Sequence, residues 1–473
     1  MLSRKVRITD IIFWCINIIF ISIFIIWSGV YWDDRSLLND YTATIFTWIC
    51  ILGCTQIVSF YLKGSSVYDF GIWFSLFSYL FMFGYIFRDY FALSTTLLWN
   101  PVTSYSKNDL FHSYLYIIVS LEMFSLGYLL TRQNDISRFC KIKEKLEPDK
   151  ECYVIGKIFF AIGSLFTLVH DIPIIFFLQS ANSYAEYSGA VSSGISGSLS
   201  LFMLPGVFFL IFSGTLEPKK IRLLVLGVLV YLLIYMILTG SRKVQIFSIV
   251  SLLIGYSASK SYHRFSITKY LRLISMMFGT FFMLTLLVTI REYRFYLDRV
   301  VDGLLDNLTS FNIVSLLAGE IIAETGLTGL SVASIISVVP DQLPYQYGMT
   351  LIRTIPSILP IGWLAKDFFN QAASTYVINL YTGIPVGSSM FGDLYWNWGY
   401  LGIIGSFICG IFFKRLLKLK PEKINYRFQM ALYFSLFSIL IILVRSEFFD
   451  VFRPVTYVFL GIFCIKNFMK LKR

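Results

Sequence analysis

Charge is scarce in this chain. Only 14% of its 473 residues are Asp, Glu, Lys or Arg, whereas 56% are hydrophobic and 18% aromatic. So few polar side chains cannot cover the surface of a soluble protein of this length. Nucleotide signatures are missing as well: no Walker loop, GxGxxG or HExxH occurs, which argues against an ATP-driven pump. There is no internal repeat, no low-complexity tract and no soluble domain. The seven cysteines exclude little. Cys15, Cys50, Cys54, Cys409 and Cys464 fall in apolar runs, Cys140 and Cys152 in a basic loop, and none in a segment read as outer, so no disulfide is implied there. Cys50 and Cys54 share a helix face without a further soft ligand, and carboxylates do not cluster as a divalent-metal site requires. Neither a metal nor another cofactor is expected.

What the chain has instead is long apolar runs. A membrane-crossing helix needs roughly twenty apolar residues, at 1.5 Å rise each, to cover about 30 Å of hydrocarbon. Twelve segments read as spans: 11–31, 41–62, 70–88, 111–131, 153–177, 198–214, 222–239, 244–259, 272–290, 399–414, 427–444 and 451–466. The expected fold is therefore an all-α polytopic integral membrane protein, one transmembrane domain over residues 1–473. A single long polar interruption, residues 292–398, separates the ninth and tenth helices and is expected to hold short helices outside the lipid. Within it, Gly326 to Val339 is apolar but short, and reads as an interfacial or re-entrant helix ending at Pro340. The first run is followed by Val30-Tyr31-Trp32-Asp33-Asp34 with no small-residue cleavage site, so it reads as a retained helix.

Basic residues orient the bundle. With the N-terminus inside, 27 of the 40 Lys and Arg fall in inner segments, as the positive-inside rule demands. Both termini are then expected in the cytoplasm, and the net charge of +12 is accounted for by anchoring to anionic lipid. No nucleic-acid partner need be invoked. The inner set holds ten Arg and 17 Lys; the outer set holds nine Arg and three Lys. Topology does not prefer Arg to Lys on the outer side, but bidentate recognition of phosphate does. An anionic ligand at the outer face is the reading that follows.

Five constellations carry candidate chemistry. Gly240-Ser241-Arg242-Lys243 turns between two apolar helices, where Arg242 can hold a diphosphate at headgroup depth. Arg291 and Arg294 share a helix face at the exit of the ninth span. The long segment carries Arg353 and many Tyr and Trp, which suit sugar faces and an interfacial belt equally. The stretch Gly387 to Gly402 brings Asp393, Tyr395 and Asn397 to the entrance of a span, with Asp393 expected at the bilayer edge. Arg445-Ser446-Glu447, with Asp450 and Arg453 beyond, forms the last outer turn. Glu320 lies among apolar residues, and Glu122, mid-span, is expected to face the bundle interior.

The run Gly392-Asp393-Leu394-Tyr395-Trp396-Asn397-Trp398-Gly399-Tyr400-Leu401-Gly402 resembles the G-E-x-Y-x-N-F-G-x-x-G pattern of the Wzy-type O-antigen and capsular oligosaccharide repeat-unit polymerases. The spans, the Gly240-Ser241-Arg242 turn and the late loop match as well, so the resemblance covers nearly the whole length. Here the acid is Asp393 instead of Glu and the aromatic Trp398 instead of Phe. The resemblance implies a glycosyltransferase of the bacterial cytoplasmic membrane, and the lack of a carboxylate cluster predicts that it is metal-independent. It would transfer a glycan from undecaprenyl diphosphate to the terminal hydroxyl of a second lipid-linked repeat unit at the outer face. Its partners would be a lipid-linked donor, a lipid-linked acceptor and membrane lipids, with a chain-length regulator and a flippase of the same pathway as candidate protein partners. On that reading Arg242, Arg291, Arg353 and Arg445 bind diphosphate, and Asp393, Glu447 or Glu320 is the catalytic carboxylate. Tyr395, Asn397 and Arg294 touch substrate. A glycan ligase of similar topology and a lipid-linked oligosaccharide flippase or exporter are the alternatives.

Overall fold

The computed structural model describes residues 8–32, 41–93, 101–130, 147–180, 195–239, 243–260, 313–359, 366–384, 386–419 and 425–471. Every regular element among them is helical. In order these are α1 (Ile8–Trp32), α2 (Tyr41–Leu62), α3 (Phe70–Tyr90), α4 (Lys107–Leu130), α5 (Lys150–Ser180), α6 (Ile195–Ser200), α7 (Met203–Ser213), α8 (Pro218–Thr239), α9 (Lys243–Ser259) and α10 (Ile313–Val338). They continue with α11 (Met349–Thr354), α12 (Lys366–Asn370), α13 (Ser374–Thr382), α14 (Met390–Trp398), α15 (Gly402–Leu416), α16 (Tyr426–Leu440) and α17 (Phe448–Leu471).

Among the described residues, nine helical stretches are long and apolar enough to cross a membrane, two of them, Ile195–Ser213 and Met390–Leu416, each made of two consecutive helices. They coincide with the expected spans except at three places. The expected spans 222–239 and 244–259 stand as α8 and α9, with Gly240, Ser241 and Arg242 between them outside the described residues. The expected span 272–290 lies wholly outside them.

The larger difference is α10. Its apolar half, Gly326 to Val339, was expected to be a short interfacial or re-entrant helix. It is the second half of a 26-residue helix that runs along α3 and α4 inside the bundle. Glu320 and Glu324 dilute the apolar signal of its first half. The packing is possible because small residues meet there: a Cβ on Gly84 would lie 2.4 Å from the Ile322 carbonyl oxygen, and one on Gly326 would lie 2.6 Å from Tyr85 N. Two helix backbones in such contact gain dispersion energy that larger side chains would forbid.

Two polar features hold the interior. Glu122 is fully buried, as expected, and Gln56 Nε2 donates to its Oε2 at 3.4 Å. Six residues further along α4, Tyr128 donates its hydroxyl to Asp69, which also binds Lys414 Nζ at 3.0 Å. Around both lies a dense aromatic core, including Phe70, Phe74, Phe124, Phe413 and Phe437.

Candidate active site

The stretch from Gly387 to Gly402 does not simply enter a span. Ser389 caps α14, its hydroxyl accepting from Gly392 N at 3.1 Å. The helix runs nine residues and stops at Gly399, whose φ of 57° and ψ of −136° suit glycine alone. There the chain reverses into α15. A Cβ on Gly402 would lie 2.6 Å from the Leu394 carbonyl oxygen, eight residues back, which a continuous helix would hold far away. The reversal folds α14 back into the bundle. Phe391 packs 6.4 Å from Phe74, centre to centre, and its carbonyl accepts from the Tyr116 hydroxyl at 3.2 Å. Asp393 is consequently only 2% exposed.

Asp393 meets the last turn there. Its Oδ2 accepts from Phe448 N, the first residue of α17, at 2.8 Å. Glu447, one residue earlier, is 5% exposed. Its Oε2 accepts from the Ser374 hydroxyl at 2.6 Å and from Thr375 N at 3.0 Å, in the first turn of α13. The Ser374 and Ser388 hydroxyls are 2.6 Å apart. Two carboxylates thus sit at the N-termini of two helices, α13 and α17, whose N–H groups bind them, while burial and the proximity of Glu447 oppose a negative charge on Asp393. The Asp393 Oδ1 and Ser446 Oγ atoms are buried with no hydrogen-bond partner among the described residues. An unpaired carboxylate oxygen in an enclosed polar site is what a hydroxyl-bearing substrate needs for proton transfer.

The other candidates distribute around this pair. Arg445 stands on the same turn, half-buried, its guanidinium carbon 5.7 Å from the centre of the Phe81 ring. Arg353, on α11, donates from one nitrogen to Gln346 Oε1 at 3.4 Å and to the Gln371 carbonyl at 3.3 Å. Tyr395 is buried against Tyr116 and Tyr400, with ring centres 5.1 and 5.5 Å away. Asn397 spends its side chain internally: Nδ2 donates to Thr350 Oγ1 at 2.6 Å and to the Asp393 carbonyl at 2.8 Å, and Oδ1 accepts from Gly348 N at 2.8 Å. It fastens the segment before α11 to the end of α14. Arg453 and Tyr457 fasten the far side of that segment to α17, donating to the Ser357 and Ile358 carbonyls at 2.5 and 2.7 Å. Arg242, Arg291 and Arg294 lie outside the described residues, as does the side chain of Glu320, whose backbone belongs to α10.

Sequence reasoning missed Ser374 and Thr375. Nothing marks them in the sequence beyond Ser at a helix start, a common capping signal.

A family model described as O-antigen polysaccharide polymerase Wzy matches residues 11–472. No curated protein and no solved structure matches the chain.

Proposed function

Because the chain belongs to the O-antigen polysaccharide polymerase Wzy family, we propose that Asp393 and Glu447 form the acceptor side of its polymerisation centre. The protein is an integral membrane protein that polymerises lipid-linked oligosaccharide repeat units. The finer reading concerns how. The donor is a glycan on undecaprenyl diphosphate. The acceptor hydroxyl oxygen attacks the anomeric carbon, and the bond from that carbon to the diphosphate breaks with its electron pair leaving on the diphosphate. The hydroxyl proton passes to a carboxylate, and Asp393 Oδ1, buried and unpartnered among the described residues, supports Asp393 as its receiver. Glu447, held by Ser374 and Thr375, orients the same site.

Arg445, on the turn that carries Glu447, is the nearest in sequence of the guanidiniums assigned to the diphosphate; Arg353, Arg242 and Arg291 complete that set. Preorganised charge of this kind commonly supplies roughly 3–4 kcal/mol per group. Asn397 acts as a positioning residue for the rim, and Tyr395 and Arg294 complete the sugar-facing side. No metal takes part, both termini are cytoplasmic, twelve helices span, and residues 292–398 face outward in this reading. The convergence of two carboxylates, 54 residues apart in sequence, on one Ser-lined site is the observation that carries it.

The test replaces Asp393→Asn, Glu447→Gln and Arg445→Ala separately and reads surface-polysaccharide ladders at matched expression. Each variant is expected to leave single repeat units. Wild-type ladders from all three would overturn the assignment of the site, the family notwithstanding. Loss of the gene is expected to leave single repeat units also; unattached finished polymer would point to a ligase.

A further inference from the structure

We propose that the groove between α5, α7 and α8 binds one anionic phospholipid, an acyl chain in the groove and the headgroup at Lys220. The groove has a volume of about 430 Å³. Phe160, Leu168 and Met203 form one wall; Leu224, Gly227 and Val228 form the other. The hydroxyls along it are turned away from the lumen: Thr167 donates to the Gly163 carbonyl at 2.7 Å, and Ser164 to that of Phe160. The lining is thus apolar, and water has no partners in it. Leu165, Val169, Leu223 and Leu226, on the flanking faces of α5 and α8, are exposed. On helices of this length such faces meet lipid, so the groove opens to the bilayer.

Its two ends select the occupant. Lys220 stands at one end, with Lys219 and Arg222 beside it in sequence. Glu217 lies 3.5 Å from Lys220 Nζ, but both side chains are exposed and such pairs are weak. The balance is positive, as an anionic headgroup requires. Tyr231 stands at the other end, its hydroxyl donating to Asp171, whose second oxygen is 2.7 Å from His170 Nδ1. These polar groups mark the end of the apolar lining. Lys220 and Tyr231 are eleven residues apart on α8, about 16 Å along the axis. That length is about half of the 30 Å hydrocarbon core, one leaflet's worth of acyl chain. The much longer undecaprenyl chain would overrun it.

Gly227 provides the test, because an added Cβ there meets nothing within 4 Å. Gly227→Leu therefore fills the groove without a clash and favours the helix. The full-length protein in mild detergent is mixed with phosphatidylglycerol, phosphatidylcholine of identical acyl chains, or undecaprenyl phosphate, and retained lipid is counted by native mass spectrometry. Wild type is expected to keep one phosphatidylglycerol, about fivefold over phosphatidylcholine, the ratio one lysine near an anionic lipid is worth. Gly227→Leu should lose it, and Lys220→Gln should keep lipid but lose the preference. Should Gly227→Leu fail to fold, Leu168→Trp fills the same space from the opposite wall and is read the same way. Phosphatidylglycerol retained by the plugged protein, equal retention of the two phospholipids by wild type, or loss of undecaprenyl phosphate alone on plugging would each overturn the proposal. The readout is independent of the polymerisation site.

Discussion

Asp393 serves α17 as an N-cap supplied from another helix: its carboxylate accepts from Phe448 N at 2.8 Å, although the two residues are 55 apart in sequence. A carboxylate at a helix N-terminus satisfies an orphan donor and meets the positive end of the dipole. The proposed proton acceptor is therefore also a structural tie between α14 and α17, and the two roles use different oxygens.

That division separates two substitutions. Asparagine keeps an oxygen for Phe448 N, whereas alanine removes it. Asp393→Ala is expected to cost about 1–2 kcal/mol, the value of a lost cap, and Asp393→Asn distinctly less. Both should abolish chain extension. Thermal unfolding of the detergent-purified variants, beside polysaccharide ladders from cells, reads the two effects apart; equal melting temperatures for both variants would remove the capping role.

Gly399 makes the reversal that buries Asp393. Its backbone lies in a region that side chains avoid, and a Cβ there would approach the Tyr345 hydroxyl oxygen to 2.9 Å. Gly399→Ala is expected to destabilise by about 1–3 kcal/mol and to shorten the ladders, because α14 would no longer be held against Tyr116. Combining it with Tyr345→Ala, which removes the whole ring and with it all three contacts at 2.9–3.0 Å, should cost less than the sum of the two single changes without relieving the backbone strain. A calorimetric comparison of the single and double variants measures the two contributions.

Asn397 is the hinge pin of the rim. Three hydrogen bonds leave its side chain, two of them to the segment Gly348–Thr350. Asn397→Ala strands the buried Thr350 hydroxyl, at about 1–3 kcal/mol, and frees the half-buried Gly348 N. Proteolysis of residues 341–359 in the purified protein should accelerate while the melting of the bundle changes less. Unchanged cleavage would mean that the backbone hydrogen bonds from Gln346 N to the Trp396 carbonyl and from Tyr347 N to the Asn397 carbonyl, with Arg453 and Tyr457, hold the segment without that side chain.

The helical fold was legible in the sequence because membrane spans are written in composition: twenty apolar residues in a row admit few other structures. The expected spans at 41–62, 70–88 and 427–444 agree with α2, α3 and α16 within a few residues, the last continuing into a short turn at Ile441–Val444. Helix α10 was read too short because its lipid exclusion comes from neighbours. Glycines packed on α3 leave little surface for lipid to demand hydrophobicity of, and acidic residues are tolerated in the same helix. The site was half legible. Asp393 and Glu447 were marked by being acids near an apolar boundary, but their meeting depends on the reversal at Gly399, which no local pattern announces. Ser374 has no distinguishing signal at all, since its importance lies in what faces it.

Lys414 and Asp69 form an ion pair sealed from solvent, with 1% and 0% of their side chains exposed and 3.0 Å between the charged atoms. In the sequence Lys414 is one of the 27 inner Lys and Arg, with nothing to set it apart. Its ammonium also lies 4.3 Å from the centre of the Tyr128 ring, and the Tyr128 hydroxyl donates to Asp69, so three helical segments share one polar knot. A pair so placed is expensive to break by halves: removing one partner typically costs about 3–5 kcal/mol, because it strands the other charge in a dry interior. Replacing both with neutral groups of similar volume is often neutral. Lys414→Met is therefore expected to lower the melting temperature and the yield of folded protein strongly, and Asp69→Asn to do so less, since the amide can still serve Tyr128 and Gly71. The double variant should recover most of the loss, giving a coupling energy well above the ~0.5 kcal/mol expected of independent sites. If the double variant melts at the sum of the single effects, the knot is not a unit and Lys414 matters only as a topological charge. Recovery of stability together with normal polymer ladders would show further that the knot supports the fold without taking part in glycan transfer.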